Sequence, residues 1–398
     1  MDTSLRAHRS YLHQHVSQLP TPALVLSLPT LKQNIQRLLD DVSEIGILFR
    51  PHVKTLKESQ SLEVTRMMLD GGRHRSIVAS TLPEIEGALP LVQEGILDEC
   101  LYGLPITENV LPRLAVLSRT VRILLMIDHE QQIQLLEDFV KDSCEIKNWQ
   151  VFIKLDVGSR RAGVSTDSSG LKSLIKRAEI SHAVSVYGVY CHAGHSYGCR
   201  DLESVENVLQ SELDGVLGAS KMINTYGGRL VLSIGSTPTA HAIRFIKDRL
   251  PPNSTLELHA GNFPVNDLQQ VCTGVVQPHQ QAVRIISEVC SVYPDRNEAL
   301  INAGAIALSR ESSAVPGFGR LCDQPEWHVV RLSQEHGILG LVHGGTQTES
   351  RAVDDFHVGK KILLHCQHAC ITAAAFHVYY VVDENDVVCD TWIPWKGW

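Results

Sequence analysis

Between Gly46 and Phe263 the chain alternates short, β-branched apolar runs with longer segments whose apolar residues recur every three or four positions. The runs are ILFRPHVKT, SIVAS, ECLYG, VRILLMID, VFIKLDVG, VYGVYCHAG, LVLSIGST and STLELHAGN. Helical period lies between them, for example over Leu62–Met68, Gln131–Val140, Leu171–Ala178, Leu202–Ile223 and His241–Leu250. This is the spacing of βα units. Eight such runs predict an α/β fold, a (β/α)8 barrel of the TIM type. An open doubly wound sheet is disfavoured because no Gly-rich dinucleotide loop follows the first run.

The flanks read differently. TPALVLS has the pattern of a strand, and Pro29–Val42 that of an amphipathic helix with Leu31, Ile35, Leu38 and Leu39 on one stripe. After Gln270 helical period fades and strand-like runs take over: AVRIISEVCSVY, HVVRLS, KKILLHC, FHVYYVV and DVVCDTWIP. The pattern predicts three parts. Residues 1–45 form an N-terminal segment, a helix plus a strand packing with the C-terminal domain. Residues 46–270 form the barrel, and 271–398 a β-rich second domain.

Composition narrows the partner. At 398 residues and 43% hydrophobic the chain can bury a large core, which excludes disorder. Thirty-six Lys and Arg against 44 Asp and Glu leave a net charge of −8, so nothing argues for nucleic acid or an anionic membrane. A small molecule is the default ligand. The first fifteen residues contain no apolar run, and no run elsewhere approaches the roughly 18 residues of a membrane span. Ten scattered cysteines without a regular framework suit reduced thiols. The expectation is a soluble cytoplasmic protein.

Barrel chemistry collects where the strands end. The first run ends in Arg50-Pro51-His52-Val53-Lys54-Thr55, where Lys54 reads either as a solvated rim charge or as an amine that forms a Schiff base with a carbonyl. On the sixth run, alternation puts Tyr190 and His192 on one face. The seventh ends in Gly235-Ser236-Thr237, whose N–H and hydroxyl donors suit a phosphate, and the eighth in His259-Ala260-Gly261-Asn262, where Gly261 lets backbone approach the same anion. Phosphate donors after strands seven and eight, facing a lysine on strand one, describe a pyridoxal phosphate site. In the last domain, Cys366-Gln367-His368-Ala369-Cys370 offers an i, i+2 imidazole and thiol, which read either as ordinary residues of a strand-rich domain or as metal ligands. On an extended segment they project to one side and suit Zn²⁺.

The order RPHVKT, KLDVGSRRAGV, YCHAGHSY, SIGSTPT, ELHAGNFPVNDLQQ, EHG and QHAC, ending in WIPWKGW, resembles the eukaryotic, fungal-like D-serine dehydratase family. That family belongs to the alanine-racemase-like, fold type III pyridoxal phosphate enzymes and is related to the D-threonine aldolases. The resemblance runs from Thr21 to Trp398 and implies several roles. Lys54 carries the cofactor as an imine and His192 stacks on its ring. Gly235, Ser236 and Thr237, with Gly261 and Asn262, hold its phosphate. Arg161 lies near its phenolic oxygen, and either Glu257 or His259 faces its pyridine nitrogen. The resemblance places zinc on His368 and Cys370, and two protein ligands leave positions open for substrate. The implied reaction is dehydration of D-serine to pyruvate and ammonia, in a homodimer. Retro-aldol cleavage, as in D-threonine aldolase, and dehydration of another D-3-hydroxy amino acid are the alternatives. Tyr190 or Tyr197 either handles the substrate hydroxyl or packs the barrel mouth. Three residues depart from the family pattern: Leu56 stands for His, Phe263 for Tyr, and Cys366 for Pro. In a continuing strand Cys366 would share a face with His368 and Cys370.

Overall fold

A computed structural model describes residues 7–57, 62–143, 145–224, 229–251, 255–342 and 351–398. The chain forms two compact units, Gln36–Phe263 with Trp395–Trp398, and Met1–Ile35 with Pro264–Pro394.

The first unit is the barrel. Its parallel strands are Leu48–Pro51, Ser76–Ala79, Glu99–Pro105, Arg122–Ile127, Trp149–Asp156, Val184–Cys191, Val231–Ile234 and Thr255–Ala260, here called the first to eighth barrel strands. All eight apolar runs become strands, although Ser254, which opened the last run, lies outside the described residues. The first strand pairs with the eighth, and pairing then steps back to the second. A parallel bridge from His52 to Val78 brings the first and second strands together, so the barrel nearly closes. Val78, Leu101, Leu124, Met126, Phe152, Tyr190 and Val231 form one buried cluster inside it.

Polar caps start the outer helices: His129 for Glu130–Asp142, Ser168 for Ser169–Ile180 and Asp201 for Leu202–Ser220. The helix predicted over His241–Leu250 is replaced by a short helix, Thr237–His241, and a 3₁₀ turn, Ile243–Ile246. Ser236 caps four residues earlier than the periodicity suggested, with Pro238 in the first turn.

The second unit is a mainly antiparallel nine-stranded sheet. Its long strand Val283–Tyr293 pairs with both Lys361–Cys366 and Glu298–Ile301, closing six strands into a small barrel. The predicted N-terminal strand, Ala23–Ser27, inserts between Val283–Tyr293 and Tyr379–Val382, antiparallel to one and parallel to the other.

The units divide inside the helix Leu28–Ile45 and at Phe263, whereas the sequence pattern put the boundaries at 45/46 and 270/271. Side chains explain the difference. Asn34 donates to the carbonyls of Pro264 and Gln280 at 2.9 and 2.8 Å, while Asp41 takes Arg244 at 2.6 Å and Glu44 takes Lys247 at 3.1 Å. Phe263 packs edge-on against Phe49 and stays with the barrel. So does Trp395, whose indole occupies the space beside Gly87 where a Cβ would stand. Among the described residues no helix is long and apolar enough to cross a membrane, and the nine described cysteines are free.

Candidate active site

The first barrel strand runs into a turn that carries Lys54, partly buried, with its N–H 3.3 Å from His52 Nδ1. His52 Nε2 meets Ser80 Oγ at 3.2 Å, which fixes the ring at the end of the second strand. Burial, followed by the charge of Lys54 or Lys154, holds His52, His192 and His259 well below the usual histidine range. Three neutral imidazoles from three strands therefore face one cationic cluster.

The fifth strand adds Lys154. It is buried, its Nζ lies 3.1 Å from Met126 Sδ and 4.9 Å from the centroid of the Tyr190 ring, and burial and then Arg161 push its amine down to about 8. Arg161 itself is exposed on the loop after that strand, yet its charge reaches Lys154, Tyr190 and His192. Tyr190 stacks on His259 with centroids 4.0 Å apart, and His192 Nδ1 donates to the Gly235 carbonyl at 2.8 Å. Tyr190 thus packs inside the cluster, while Tyr197 sits half-buried in the 3₁₀ turn Gly194–Gly198.

The predicted phosphate residues meet at the ends of strands seven and eight. Gly235 has φ +141°, and a Cβ there would stand 2.1 Å from the His259 carbonyl, so only glycine fits. Thr237 Oγ1 accepts the Asn262 N–H at 3.1 Å, and a Cβ on Gly261 would come 3.1 Å from His52. Ser236 Oγ meets Thr239 Oγ1 at 2.9 Å and Ser196 Oγ at 2.8 Å.

Sequence reasoning missed Glu212. This fully buried carboxylate on the helix Leu202–Ser220 accepts the N–H of Ala193 and of Gly235, both at 3.1 Å, and so ties together the ends of the sixth and seventh strands. Burial raises it to about 7. Its signal was present: it stands on the apolar stripe of Val205, Leu209, Leu213 and Val216. Beneath the cluster, Arg50 is wholly buried between Glu257, at 2.9 Å, and Glu99.

In the other unit the strand ends at Cys366 instead of continuing. His368 caps the helix Ala369–Ala375, and Cys370 lies in its first turn. Asp267 accepts the Ala369 N–H at 2.8 Å, and buried Gln367 donates to the carbonyls of Val315 and Gly317, which together bend the chain out of the sheet. His368 and Cys370 therefore meet across a helix start, not along a strand. Burial works to lower His368, but the bond to Cys370 and the charges of Cys370 and Asp267 raise it to about 9. Its Nδ1 donates to Gln269 Oε1. Cys366 is buried and bonded to Thr372, and burial pushes its thiol up. Among the described residues no group of three or more His, Cys, Asp or Glu could hold a metal. Leu56 and Phe263 are both buried.

The alanine racemase N-terminal domain model matches residues 26–245, and a serine dehydratase domain model matches 282–382. D-serine dehydratase of Schizosaccharomyces pombe is 40% identical over 98% of this chain and 95% of its own length. The chain belongs to the D-serine dehydratase family. The Saccharomyces cerevisiae member is 35% identical over 96% of this chain and 97% of its own. The solved D-threo-3-hydroxyaspartate dehydratase from Delftia sp. HT23 superposes with a TM-score of 0.83 at 26% identity, covering 96% of this chain and 100% of that one. The family is built on the alanine-racemase-like fold, here the barrel with its antiparallel second unit.

The barrel residues fit pyridoxal phosphate. Lys54 supplies the amine, His192 a flat neutral ring, and Gly235 and Gly261 backbone that a side chain would block. His368 and Cys370 are an imidazole and a soft thiol, donor types that zinc accepts.

Proposed function

We propose that this chain removes water from D-serine to give pyruvate and ammonia, with pyridoxal phosphate held in the barrel and zinc at His368 and Cys370. The carrying observation is the convergence of Lys54, His192, His259 and the Gly235 turn at the strand ends of a D-serine dehydratase family member. Bound there, the cofactor withdraws electrons from Cα. The Lys54 amine takes the α-proton, and the flanking imidazoles, kept neutral by burial, add no further positive charge beside it. Bound at His368 and Cys370, zinc supplies Lewis acidity for the β-hydroxyl, a poor leaving group by itself. Gln269 orients His368 for that task. Tyr197 is the tyrosine we assign to the hydroxyl, since Tyr190 is packed against His259. A cysteine-to-alanine variant of D-threo-3-hydroxyaspartate dehydratase has been solved in a metal-free form.

One second reading has a specific observation behind it. The Delftia relative, 29% identical over 96% of this chain, is named for D-threo-3-hydroxyaspartate. Product analysis separates the readings. D-serine should yield pyruvate and ammonia in equal amounts, and L-serine neither. Faster turnover of D-threo-3-hydroxyaspartate would move the assignment to that substrate, and glycine with an aldehyde from D-threonine would move it to aldol cleavage. We also propose a cytoplasmic homodimer, to be checked by sedimentation and cell fractionation.

A further inference from the structure

Ser233, on the seventh barrel strand, stands between an acid and an imidazole. Its Oγ donates to Glu257 Oε1 at 2.8 Å and lies 3.0 Å from His259 Nδ1. The same Glu257 oxygen takes the Arg50 Nε–H at 2.9 Å, and all four side chains are buried. A hydroxyl has one proton to give and a carboxylate facing an arginine has none, so the Ser233 proton goes to Glu257. Only lone pairs are left on Ser233 Oγ for His259. The proton in that contact must come from Nδ1.

Burial, Lys154 and Arg50 keep His259 neutral, with a single N–H. Its other nitrogen, Nε2, is then a bare acceptor, and it is buried with no hydrogen-bond partner. A buried acceptor left unmatched is destabilising. Tyr190, stacked at 4.0 Å and 11°, restrains the ring from turning away. The Gly235 carbonyl, which accepts from His192 Nδ1 at 2.8 Å, also favours a proton on His259, but Nε2 makes no hydrogen bond to it.

We propose that Arg50, Glu257 and Ser233 form a relay that locks His259 as the Nδ1–H tautomer, so that Nε2 is presented as the acceptor for a ligand N–H. Resting on the function proposed above, that N–H belongs to the protonated ring nitrogen of pyridoxal phosphate. Glu257, committed to Arg50 and Ser233, is then a positioning residue acting through His259. A protonated ring nitrogen makes the bound cofactor a stronger electron sink.

Nitrogen-15 NMR of histidine-labelled protein tests this directly, with the His259 signals assigned by their loss in His259→Gln. In cofactor-free protein Nδ1 should carry the proton and Nε2 should show the signal of an unprotonated ring nitrogen. A proton on Nε2, or on both nitrogens, overturns the relay. Adding pyridoxal phosphate should move Nε2 towards a hydrogen-bonded acceptor while Nδ1 stays in place. Cofactor that binds, by its retained absorbance, and leaves Nε2 unmoved overturns the assignment of the ligand. Failure to bind any cofactor defeats the proposed function, while the tautomer is still decided by the free protein. Ser233→Ala should mix the two tautomers and shift the absorbance band of the loaded protein, and Ser233→Thr, which keeps the hydroxyl, should restore both. If Ser233→Ala does not fold, the parent spectrum alone settles the point.

Discussion

The barrel cluster and the His368–Cys370 pair are built in opposite ways. In the barrel, Arg50, Tyr190, Ser233, Glu257 and His259 come from four strands, and residues as distant as Arg50 and Glu257 meet at 2.9 Å inside the buried core. The pair in the other unit is two residues apart, set by one helix start and oriented by Gln269. The first arrangement gives each group several restraints, so chemistry and fold are coupled there. The second depends on few contacts, so its chemistry should be separable from the fold.

The largest effect should come from Lys54, which is partly exposed at the barrel mouth. Lys54→Ala should lower turnover of D-serine by at least about a thousandfold, the combined loss of the cofactor's amine and the α-proton acceptor. Circular dichroism and the melting temperature should barely change. Borohydride reduction followed by peptide mapping should place the pyridoxyl label on Lys54. A label on Lys57 or Lys154 would sink the assignment.

The pair comes next. His368→Ala, Cys370→Ala or chelation should cost about a hundred- to a thousandfold in water elimination, several kcal/mol of lost Lewis-acid help. Cofactor absorbance and stability should survive. β-Chloro-D-alanine, whose chloride leaves unaided, should retain far more of its rate. Equal losses on both substrates, or unfolding of either variant, would make the metal structural.

The same contrast explains what could be read from the chain. Eight strand runs were legible because each is a short, nearly continuous apolar run bounded by turns, as in a parallel strand buried on both faces, and Gly235 and Gly261 because glycine after a strand marks a backbone approach. The placement of His368 and Cys370 was not, since Asp267, a hundred residues away, caps the helix that turns them out of the strand. Long-range partners leave no mark on local periodicity. The helix expected over His241–Leu250 failed for a nearer reason, because Ser236 and Pro238 start a helix before the apolar repeat begins. Glu212 was overlooked although a carboxylate on an apolar stripe is itself a signal of a buried partner, here two backbone N–H groups.

Glu212 gives a third test, confined to the barrel. Its folded value near 7 lies above the unfolded carboxyl value of 4.5, so the stability tied to its protonated form is present below 4.5 and lost as pH rises through 7. The loss should amount to about 3 kcal/mol. Glu212→Gln keeps an acceptor for Ala193 and Gly235 but cannot ionise. Its denaturant stability should therefore fall less than the parent's between pH 5 and 8. Parallel curves for the two proteins would show that Glu212 is not the titrating group.

The smallest effect should come from Phe263, where the family pattern has Tyr. The ring is fully buried and meets Phe49 edge-on at 5.7 Å, in the last residue of the barrel unit. Phe263→Tyr adds one hydroxyl to an apolar contact. A buried hydroxyl without an acceptor costs about 1–3 kcal/mol, and one that finds a partner costs almost nothing. Leu56, which stands where the family pattern has His, is also buried. Phe263→Tyr alone should lower stability by about 1 kcal/mol. The double change Leu56→His with Phe263→Tyr should recover part of it if the two positions are coupled, as a double-mutant cycle would measure. If zinc binds at His368 and Cys370 as proposed, its content should not move in either variant, because that pair has its own restraints. Loss of zinc on changing Phe263 would mean that the two regions are coupled after all.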